Sequence, residues 1–231
     1  MFDEFPDLLR TITIWAIPML TAIPLHEAAH GFAALRFGDD TALQRGRVTA
    51  NPFRHIDPFG TVVLPLMLLM ATRGSFMFGF AKPVPVNFFR LKPRRLGMIV
   101  VAAAGPATNL VLAFISMLLF YAVPWVPVSG QAWFAEMLRA SVTLNLILAV
   151  FNMLPIPPLD GGRVAVGLLP QPLAMRLARL ERVGIFIVLG ALLLLPFIGE
   201  QIGIPMDPIG SFIGNSVTWL ANLIANLTGL N

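Results

Sequence analysis

Apolar segments long enough to cross a membrane alternate with short polar segments along most of the chain. A spanning helix needs about 20 consecutive apolar residues. The pattern predicts such spans at approximately these positions: 8–37, 96–121, 133–154 and 183–198. The stretch 58–81 is also apolar, but Arg73 and Gly74 interrupt it. The tail 209–229 combines apolar residues at helical spacing with several asparagines, so it is either a weak last span or a helix at the membrane interface.

The sequence KPVPVNFFRLKPRR at 82–95 separates two of these apolar segments. Proline removes a backbone hydrogen-bond donor and is unfavourable inside a helix, so this region is predicted to form short β or extended elements. The pattern as a whole predicts an all-α polytopic membrane protein with about five or six membrane segments. It shows no internal repeat and no second, soluble domain.

The composition supports an integral membrane protein. Hydrophobic residues make up 57% of the 231 residues and charged residues only 12%, whereas a soluble domain has about 25% charged residues. The mean hydropathy is +0.79 and the pI is about 10.6. A high pI can indicate nucleic-acid binding, but here the basic residues flank apolar segments, which is the pattern that orients helices in a bilayer. No nucleic-acid partner is therefore expected. The acidic N-terminus lacks the basic start of a secretory signal, so we expect the first apolar segment to be retained.

The basic residues are distributed unevenly between the loops. Of the 16 lysines and arginines, ten lie in 36–95 and four in 156–182. The positive-inside rule places both regions in the cytoplasm and the N-terminus outside. If 58–81 crossed the membrane once, the basic residues after it would lie outside, so a re-entrant hairpin with its turn at Arg73-Gly74 is predicted. Re-entrant backbone is tolerated only where protein or water covers it, which indicates a water-accessible cavity.

One group of titratable residues lies inside the first apolar segment. The sequence HEAAH places His26 and His30 four residues apart, on one face of a helix, with Glu27 beside them. Two such histidines can bind one metal ion, and the carboxylate can take a proton from water, as in zinc peptidases. The alternative is an ion pair between Glu27 and a protonated histidine. Ionisable groups within a span are costly and usually functional, which favours the metal.

A third ligand must come from elsewhere in the sequence. The chain has no cysteine, so disulfides and thiolate ligands are excluded and the ligand must be His, Asp or Glu. Asp160 is the strongest candidate because it lies in a Gly/Pro-rich motif at the cytoplasmic end of a span. His55 is the other candidate, although its polar loop fits a structural or substrate-gating role better. The hairpin topology places HEAAH and Asp160 on the same side of the membrane.

Three motifs together resemble the site-2 protease family of intramembrane zinc metalloproteases. They are HEAAH at 26–30, GPATN at 105–109 and NMLPIPPLDGG at 152–162. The stretches NPFRHIDPFGT and AKPVPVN are similar to its compact prokaryotic branch, which lacks PDZ and CBS domains. The resemblance covers about 10–185. It implies a single membrane metalloprotease domain, 1–231, with a catalytic core at about 8–182 and C-terminal segments at 183–231.

The resemblance also implies roles for individual residues. His26, His30 and Asp160 are similar to the ligands of one zinc ion per chain, and Glu27 to the catalytic base. Asn152 resembles an asparagine that contacts the substrate backbone or the oxyanion. Further candidate substrate-binding residues are Asn109, Pro83, Val84, Pro85, Val86 and His55. Residues 83–86 are either a strand edge that pairs with an unwound substrate or a structural loop, and Asn109 is also a candidate for helix packing.

The function implied is the hydrolysis of peptide bonds in or near transmembrane segments of membrane-protein substrates. The expected partners are those substrates and the lipid bilayer. The expected location is the cell membrane, with the active site toward the cytoplasm. The alternative is a membrane protein of the same fold that binds or transports metal without cleaving peptides.

Overall fold

Helices form almost all of the regular structure in the computed structural model, which describes residues 5–49, 51–71 and 82–230. Within these residues the α-helices are α1 (Phe5–Arg36), α2 (Thr41–Gln44), α3 (Leu64–Ala71), α4 (Arg94–Leu118), α5 (Val128–Asn152), α6 (Asp160–Leu168), α7 (Gln171–Ala178), α8 (Gly184–Leu189), α9 (Leu195–Ile202) and α10 (Pro208–Thr228). Short 3-10 or π-helical segments lie at Pro52–Arg54, Pro58–Val63, Leu119–Trp125, Arg179–Arg182 and Gly190–Leu194. No β-strand occurs in the described part of the chain, and the fold is all-α as predicted.

Three long helices, α1, α4 and α5, pack against one another and form the centre of the fold. In the part of the chain that the structure describes, three helical stretches are long and apolar enough to cross a membrane: Leu9–Arg36, Arg94–Trp125 and Val128–Asn152. They coincide with three of the predicted spans. Many large apolar side chains remain uncovered, and Trp125 is 88% exposed. A lipid environment would cover such a surface, whereas water would not.

The predicted span at 183–198 is not one straight helix. The chain there forms two helical stretches, Gln171–Arg182 and Phe186–Ile202, which meet at an angle of 71°. A fourth span exists only if this bent pair is counted as one. The bend follows the 3-10 turn Arg179–Arg182 and lies where Gly184 packs closely on the loop between α5 and α6. A Cβ on Gly184 would be 1.5 Å from the carbonyl oxygen of Pro157 in that loop.

The predicted tail forms the helix α10. The side chain of Asp207 accepts a hydrogen bond from the Gly210 amide at its start, and Gly229, with a φ of 74°, ends it. Ile224 packs against Ala113 of α4 and Leu146 of α5 in an apolar cluster. This helix is not among those apolar enough to count as spans. The described residues therefore contain three or four candidate spans, and the predicted five or six membrane segments, which include the re-entrant hairpin, are not confirmed.

The apolar stretch 58–81 begins as a helix. The Asp57 carboxylate accepts hydrogen bonds from the amides of Phe59 and Gly60 and so caps the turn Pro58–Val63, which continues into α3. The predicted turn of the re-entrant hairpin, at Arg73-Gly74, lies outside the described residues. Residues 82–87 form neither helix nor strand, so the predicted β elements do not occur there.

Candidate metal centre

Two histidines one helical turn apart on α1 point into the same buried space. His26 and His30 are 6% and 8% exposed. Their Nε2 atoms are 3.1 Å apart, and their rings are nearly perpendicular, at 83°. The spacing of four residues places both side chains on one helix face, as the sequence predicted. The two Nε2 atoms therefore converge on one point.

Asp160, the first residue of α6, completes a triangle of ligand atoms. Its Oδ2 lies 3.2 Å from His26 Nε2 and 3.3 Å from His30 Nε2. Zinc binds nitrogen and oxygen ligands at about 2.0–2.2 Å, so the edge of a zinc tetrahedron is about 3.3–3.6 Å. The three edges observed here are close to this length. Within the described residues this is the one group of three such side chains that could hold a metal ion.

Glycines bring Asp160 to the histidines. A Cβ on Gly161 would lie 2.2 Å from the carbonyl oxygen of Met153, and a Cβ on Gly162 would lie 2.2 Å from the backbone nitrogen of Pro157. Any side chain at either position would push α6 away from the end of α5. The Asp-Gly-Gly sequence is thus required because α6 packs directly on the backbone of the loop before it.

The hydrogen-bond partners of the two Nδ1 atoms determine which nitrogen of each histidine is free to face the metal position. His30 Nδ1 lies 2.7 Å from the carbonyl oxygen of Val101, which can only accept, so Nδ1 carries the proton. His26 Nδ1 lies 2.6 Å from Asn109 Oδ1. With both protons on Nδ1, both Nε2 lone pairs are available to a metal ion, which is the arrangement typical of metal-binding histidines.

The orientation of the Asn109 amide follows from its other contacts. Its Nδ2 lies 2.9 Å from Asn145 Oδ1 and 3.4 Å from the carbonyl oxygen of Ala22. The Ala22 carbonyl can only accept a hydrogen bond, so the NH2 group must face it. The oxygen of the Asn109 amide therefore faces His26. Asn109 is completely buried.

A glycine of α4 makes room for the ligand atoms. A Cβ on Gly105 would lie 2.5 Å from the Nε2 atoms of both His26 and His30. Gly105 and Asn109 are one turn apart in the GPATN motif and so lie on the same face of α4. One supplies the space beside the metal position and the other supplies the hydrogen-bond acceptor. Donor type, geometry and space all fit a zinc ion.

Glu27 lies in the same cavity as the ligands. The cavity has a volume of about 220 Å³, and Glu27, His26, His30, Asp160 and Asn152 are among the residues that line it. Glu27 Oε2 accepts a hydrogen bond of 2.7 Å from the backbone amide of Val84. A carboxylate beside a metal position in a water-accessible cavity can accept a proton from water.

The segment that contains Val84 is fixed by its backbone. Its amides at Lys82, Asn87 and Lys92 donate to the carbonyl oxygen of His55, to Asp39 Oδ2 and to the carbonyl oxygen of Phe37, at 3.0, 2.6 and 2.9 Å. Phe37 and Asp39 lie just after α1 and His55 lies in a later loop, and one acceptor is a side chain, so these hydrogen bonds form no ladder between two strands. The prolines at 83 and 85 lack the amides that a regular ladder would need.

Asp39 holds this segment against the end of α1. It is completely buried and accepts hydrogen bonds from the hydroxyl and amide of Thr41 as well as from Asn87. Burial alone would raise the pKa of Asp39. The hydrogen bonds from Thr41 and Asn87, together with the positive charge of Arg90, outweigh burial and lower the pKa below its ordinary value.

The remaining predicted residues divide into two groups. Pro83, Val84 and Val86 line the cavity, as does Asn152, whose Nδ2 donates to the carbonyl oxygen of Leu148 at 3.0 Å. Pro85 is not among the lining residues.

His55 and Asn109 do not line the cavity either, and both are completely buried. Their burial does not fit the predicted contact with a substrate. His55 is also absent from the group of ligand atoms, and its Nε2 lies 3.0 Å from the carbonyl oxygen of Thr49.

Two residues of this region were missed in the sequence. Arg163 lines the cavity, pairs with Glu181 at 3.2 Å and lies over the ring of Phe88. It follows Asp160 by three residues, so helical spacing could have identified it. Asn145 is 1% exposed and bonds to Asn109. Asn145 could have been identified as an uncharged polar residue in the middle of a predicted span.

Comparisons with known proteins identify the family of this chain. The sequence profile of peptidase family M50 matches residues 126–195. YwhC of Bacillus subtilis is 39% identical over 201 residues, covering 82% of this chain and 84% of that protein. Rip2 of Mycobacterium tuberculosis is 38% identical over 149 residues, covering 62% of this chain and 52% of that protein.

An archaeal protein, MJ0611 of Methanocaldococcus jannaschii, is 40% identical over 94 residues, covering 39% of this chain and 46% of its own length. All three relatives are named as zinc metalloproteases. No solved structure gives a significant match. The similarity to YwhC extends over most of both proteins, and this chain belongs to peptidase family M50.

Proposed function

We propose that this chain is an intramembrane zinc metalloprotease that hydrolyses peptide bonds in or near the transmembrane segments of other membrane proteins. The observation that carries the proposal is the triangle of His26, His30 and Asp160 ligand atoms, with Glu27 in the same cavity. Three of the helices that line this cavity, α1, α4 and α5, are long and apolar enough to span a membrane. Family membership and the names of the relatives support the same activity.

His26, His30 and Asp160 would hold the zinc ion through Nε2, Nε2 and Oδ2. A zinc ion bound there supplies a Lewis acid that polarises a peptide carbonyl and lowers the pKa of water. Glu27 accepts the proton of the attacking water and then donates it to the leaving amine. Asn152 lines the cavity with an amide that has a second hydrogen to donate to the developing oxyanion. Asn109 orients His26 and does not contact the substrate.

The substrate must reach this cavity as extended chain. A peptide bond within a helix is shielded by the neighbouring turns, so cleavage requires local unwinding, and helix-breaking residues in the substrate favour it. Pro83, Val84 and Val86 line the cavity and are the candidate contacts for unwound chain. The amide of Val84 already donates to Glu27, so backbone pairing there would use carbonyl groups.

The arrangement of charge supports a particular orientation in the cell membrane. The basic regions 36–95 and 156–182 would face the cytoplasm and the N-terminus would lie outside. The metal centre then opens toward the cytoplasm, since Asp160 directly follows the loop at the end of α5. We also propose that 58–81 forms the re-entrant hairpin and that the chain spans the bilayer.

The test uses the zinc-loaded protein in lipid nanodiscs with a panel of single-span reporters. Each reporter has a tag at both ends and a helix-breaking Asn-Gly pair in its apolar segment, and mass spectrometry locates any cut. Wild-type protein is expected to produce two tagged fragments. Glu27→Gln is expected to retain zinc and to lose activity by about 10²–10⁴-fold.

Two outcomes would contradict the proposal. Full cleavage by Glu27→Gln would remove Glu27 from the mechanism. Failure of zinc-loaded wild-type protein to cleave any reporter would favour the alternative of a membrane protein that binds or transports metal.

A further inference from the structure

A chain of buried polar side chains leads from the metal centre along the interface between α4 and α5. Asn109 Nδ2 donates to Asn145 Oδ1 at 2.9 Å, and Asn145 Nδ2 donates to the carbonyl oxygen of Ser141 at 2.9 Å. The hydroxyl of Ser141 lies 2.7 Å from that of Ser116. All four side chains are at least nine-tenths buried. None except Asn109 has a role in the proposed mechanism.

The hydrogen bonds of the two asparagine amides in this series have a fixed direction. The Ser141 carbonyl can only accept, so the NH2 group of Asn145 must face it and the amide oxygen of Asn145 must face Asn109. That oxygen in turn requires the NH2 group of Asn109, which leaves the Asn109 oxygen for the Nδ1–H of His26. The Ser141 carbonyl thus orients Asn145, and Asn145, together with the more distant Ala22 carbonyl, orients Asn109.

We propose that Asn145 is a positioning residue of the metal centre, because its amide oxygen holds Asn109 in the orientation that keeps His26 Nε2 free for the metal. This inference depends on the metal site of the proposed function. If Asn145 offered no acceptor, only the longer contact of 3.4 Å with the Ala22 carbonyl would hold the NH2 group of Asn109, and Asn109 could rotate its amide and present NH2 to His26. The proton of His26 would then move to Nε2, the atom that must bind the metal.

A simple packing role for Asn145 predicts something different. Polar side chains between helices in a membrane often hold the helices together through hydrogen bonds. In that case any hydrogen bond at this interface would serve equally well, and the loss of the Ser116–Ser141 contact would have the same effect as the loss of Asn145. Only the positioning role depends on an acceptor at the end of the Asn145 side chain.

The experiment compares zinc affinity among four forms of the full chain in nanodiscs, by competition with a chelator. Asn145→Leu removes the acceptor at nearly constant volume. Asn145→Asp keeps it, because a carboxyl oxygen accepts in either protonation state. Ser116→Ala is the matched control, since it removes a hydrogen bond from the same interface and leaves both amides intact. Thermal unfolding of the zinc-free forms measures packing separately.

We expect zinc to bind Asn145→Leu about tenfold more weakly than wild type, at the lower end of the effect of removing a direct partner of a metal ligand. Asn145→Asp and Ser116→Ala are expected to stay within about twofold of wild type, although Ser116→Ala should unfold at a lower temperature. If Asn145→Leu does not fold, Asn145→Ala removes the same acceptor with less bulk and is expected to show the same loss.

Equal zinc affinity in Asn145→Leu and wild type would overturn the inference. So would an equal loss in Asn145→Leu and Asn145→Asp, because the amide oxygen would then not be the group that matters. A wild-type protein that binds no zinc would instead overturn the metal site itself, so the two failures are distinguishable.

Discussion

His26 on α1 and Asn109 on α4 are joined by a buried hydrogen bond of 2.6 Å between the imidazole Nδ1 and the amide Oδ1. The bond links one predicted metal ligand to the GPATN motif, and the completely buried Asn109 cannot exchange it for water. It also leaves the Nε2 atom of His26 facing Asp160, at 3.2 Å from Oδ2. The orientation of the ligand therefore depends on a helix that contributes no ligand of its own.

The first prediction concerns that bond. Asn109→Leu removes the acceptor and should weaken zinc binding about 10–100-fold, because a metal-binding histidine depends on the partner of its second nitrogen. Asn109→Asp keeps an oxygen in place and should bind zinc nearly as well as wild type. Chelator competition in nanodiscs measures both. Unchanged zinc affinity in Asn109→Leu would show that His26 holds its orientation without this partner.

The second prediction concerns the space beside the ligands. Gly105→Ala places a methyl group 2.5 Å from both Nε2 atoms, which is closer than any real contact, so it should abolish stoichiometric zinc binding while α4 remains helical. Gly214→Ala, in α10, is the matched control because nothing lies within 4 Å of its added Cβ. Metal analysis and circular dichroism of the purified variants provide the measurement. Full zinc occupancy in Gly105→Ala would mean that the metal lies elsewhere.

The third prediction tests whether His26 of α1 and Asp160 of α6 bind the same zinc ion. Wild-type protein should contain about one zinc ion per chain, and both Asp160→Ala and His26→Ala should lose it. Glu181→Gln, which removes an exposed acid that pairs with Arg163, should keep its zinc. Zinc that survives Asp160→Ala would identify a different third ligand.

The fourth prediction concerns Asp39 and pH. Because the pKa of Asp39 is lower in the folded protein than its ordinary value, ionised Asp39 stabilises the fold above its unfolded pKa, about 3.9. That stabilisation is lost as the pH falls through the lower folded pKa. Asp39→Asn should therefore unfold at a lower temperature than wild type at pH 7, with a loss of about 1–3 kcal/mol.

The difference between Asp39→Asn and wild type should be constant above about pH 5 and should shrink below about pH 4. Asp57→Asn provides a comparison, since the Asp57 carboxylate caps a short helical turn through the amides of Phe59 and Gly60 instead of bonding to the segment 82–92. Thermal unfolding in detergent across this range measures both variants. A difference that does not change with pH would show that the charge of Asp39 contributes nothing to the fold.

Much of the site could be predicted because its residues have strong local patterns. The spacing of His26 and His30 alone places both on one helix face, and Asp160 was recognisable from the glycines that follow it. The long apolar segments likewise predicted the helices around 8–37, 96–121 and 133–154. Each of these inferences needs only the residues within a few turns of helix.

Other features depend on how distant elements meet, and the sequence pattern does not contain that information. The contact of Asn109 with Asn145 depends on the register between α4 and α5. The 71° angle near Gly184 depends on a loop that contacts it from 27 residues earlier in the chain. The irregular conformation of 82–87 follows from hydrogen-bond acceptors on α1 and in two separate loops, at Glu27, Asp39 and His55. These acceptors were not evident from the proline-rich sequence, which by itself was consistent with a strand.

The positions of the three ligand atoms along the sequence determine which parts of the chain a bound metal would hold together. Two belong to residues 26 and 30 and the third to residue 160, so a bound ion would close a loop that contains α4 and α5 entirely. The chain has no cysteine and therefore no disulfide to serve as a cross-link. A bound metal would cross-link distant parts of the sequence and would restrict the unfolded chain much as a disulfide does. Removal of the metal should then loosen the attachment of α6 to α1 as well as stop the chemistry.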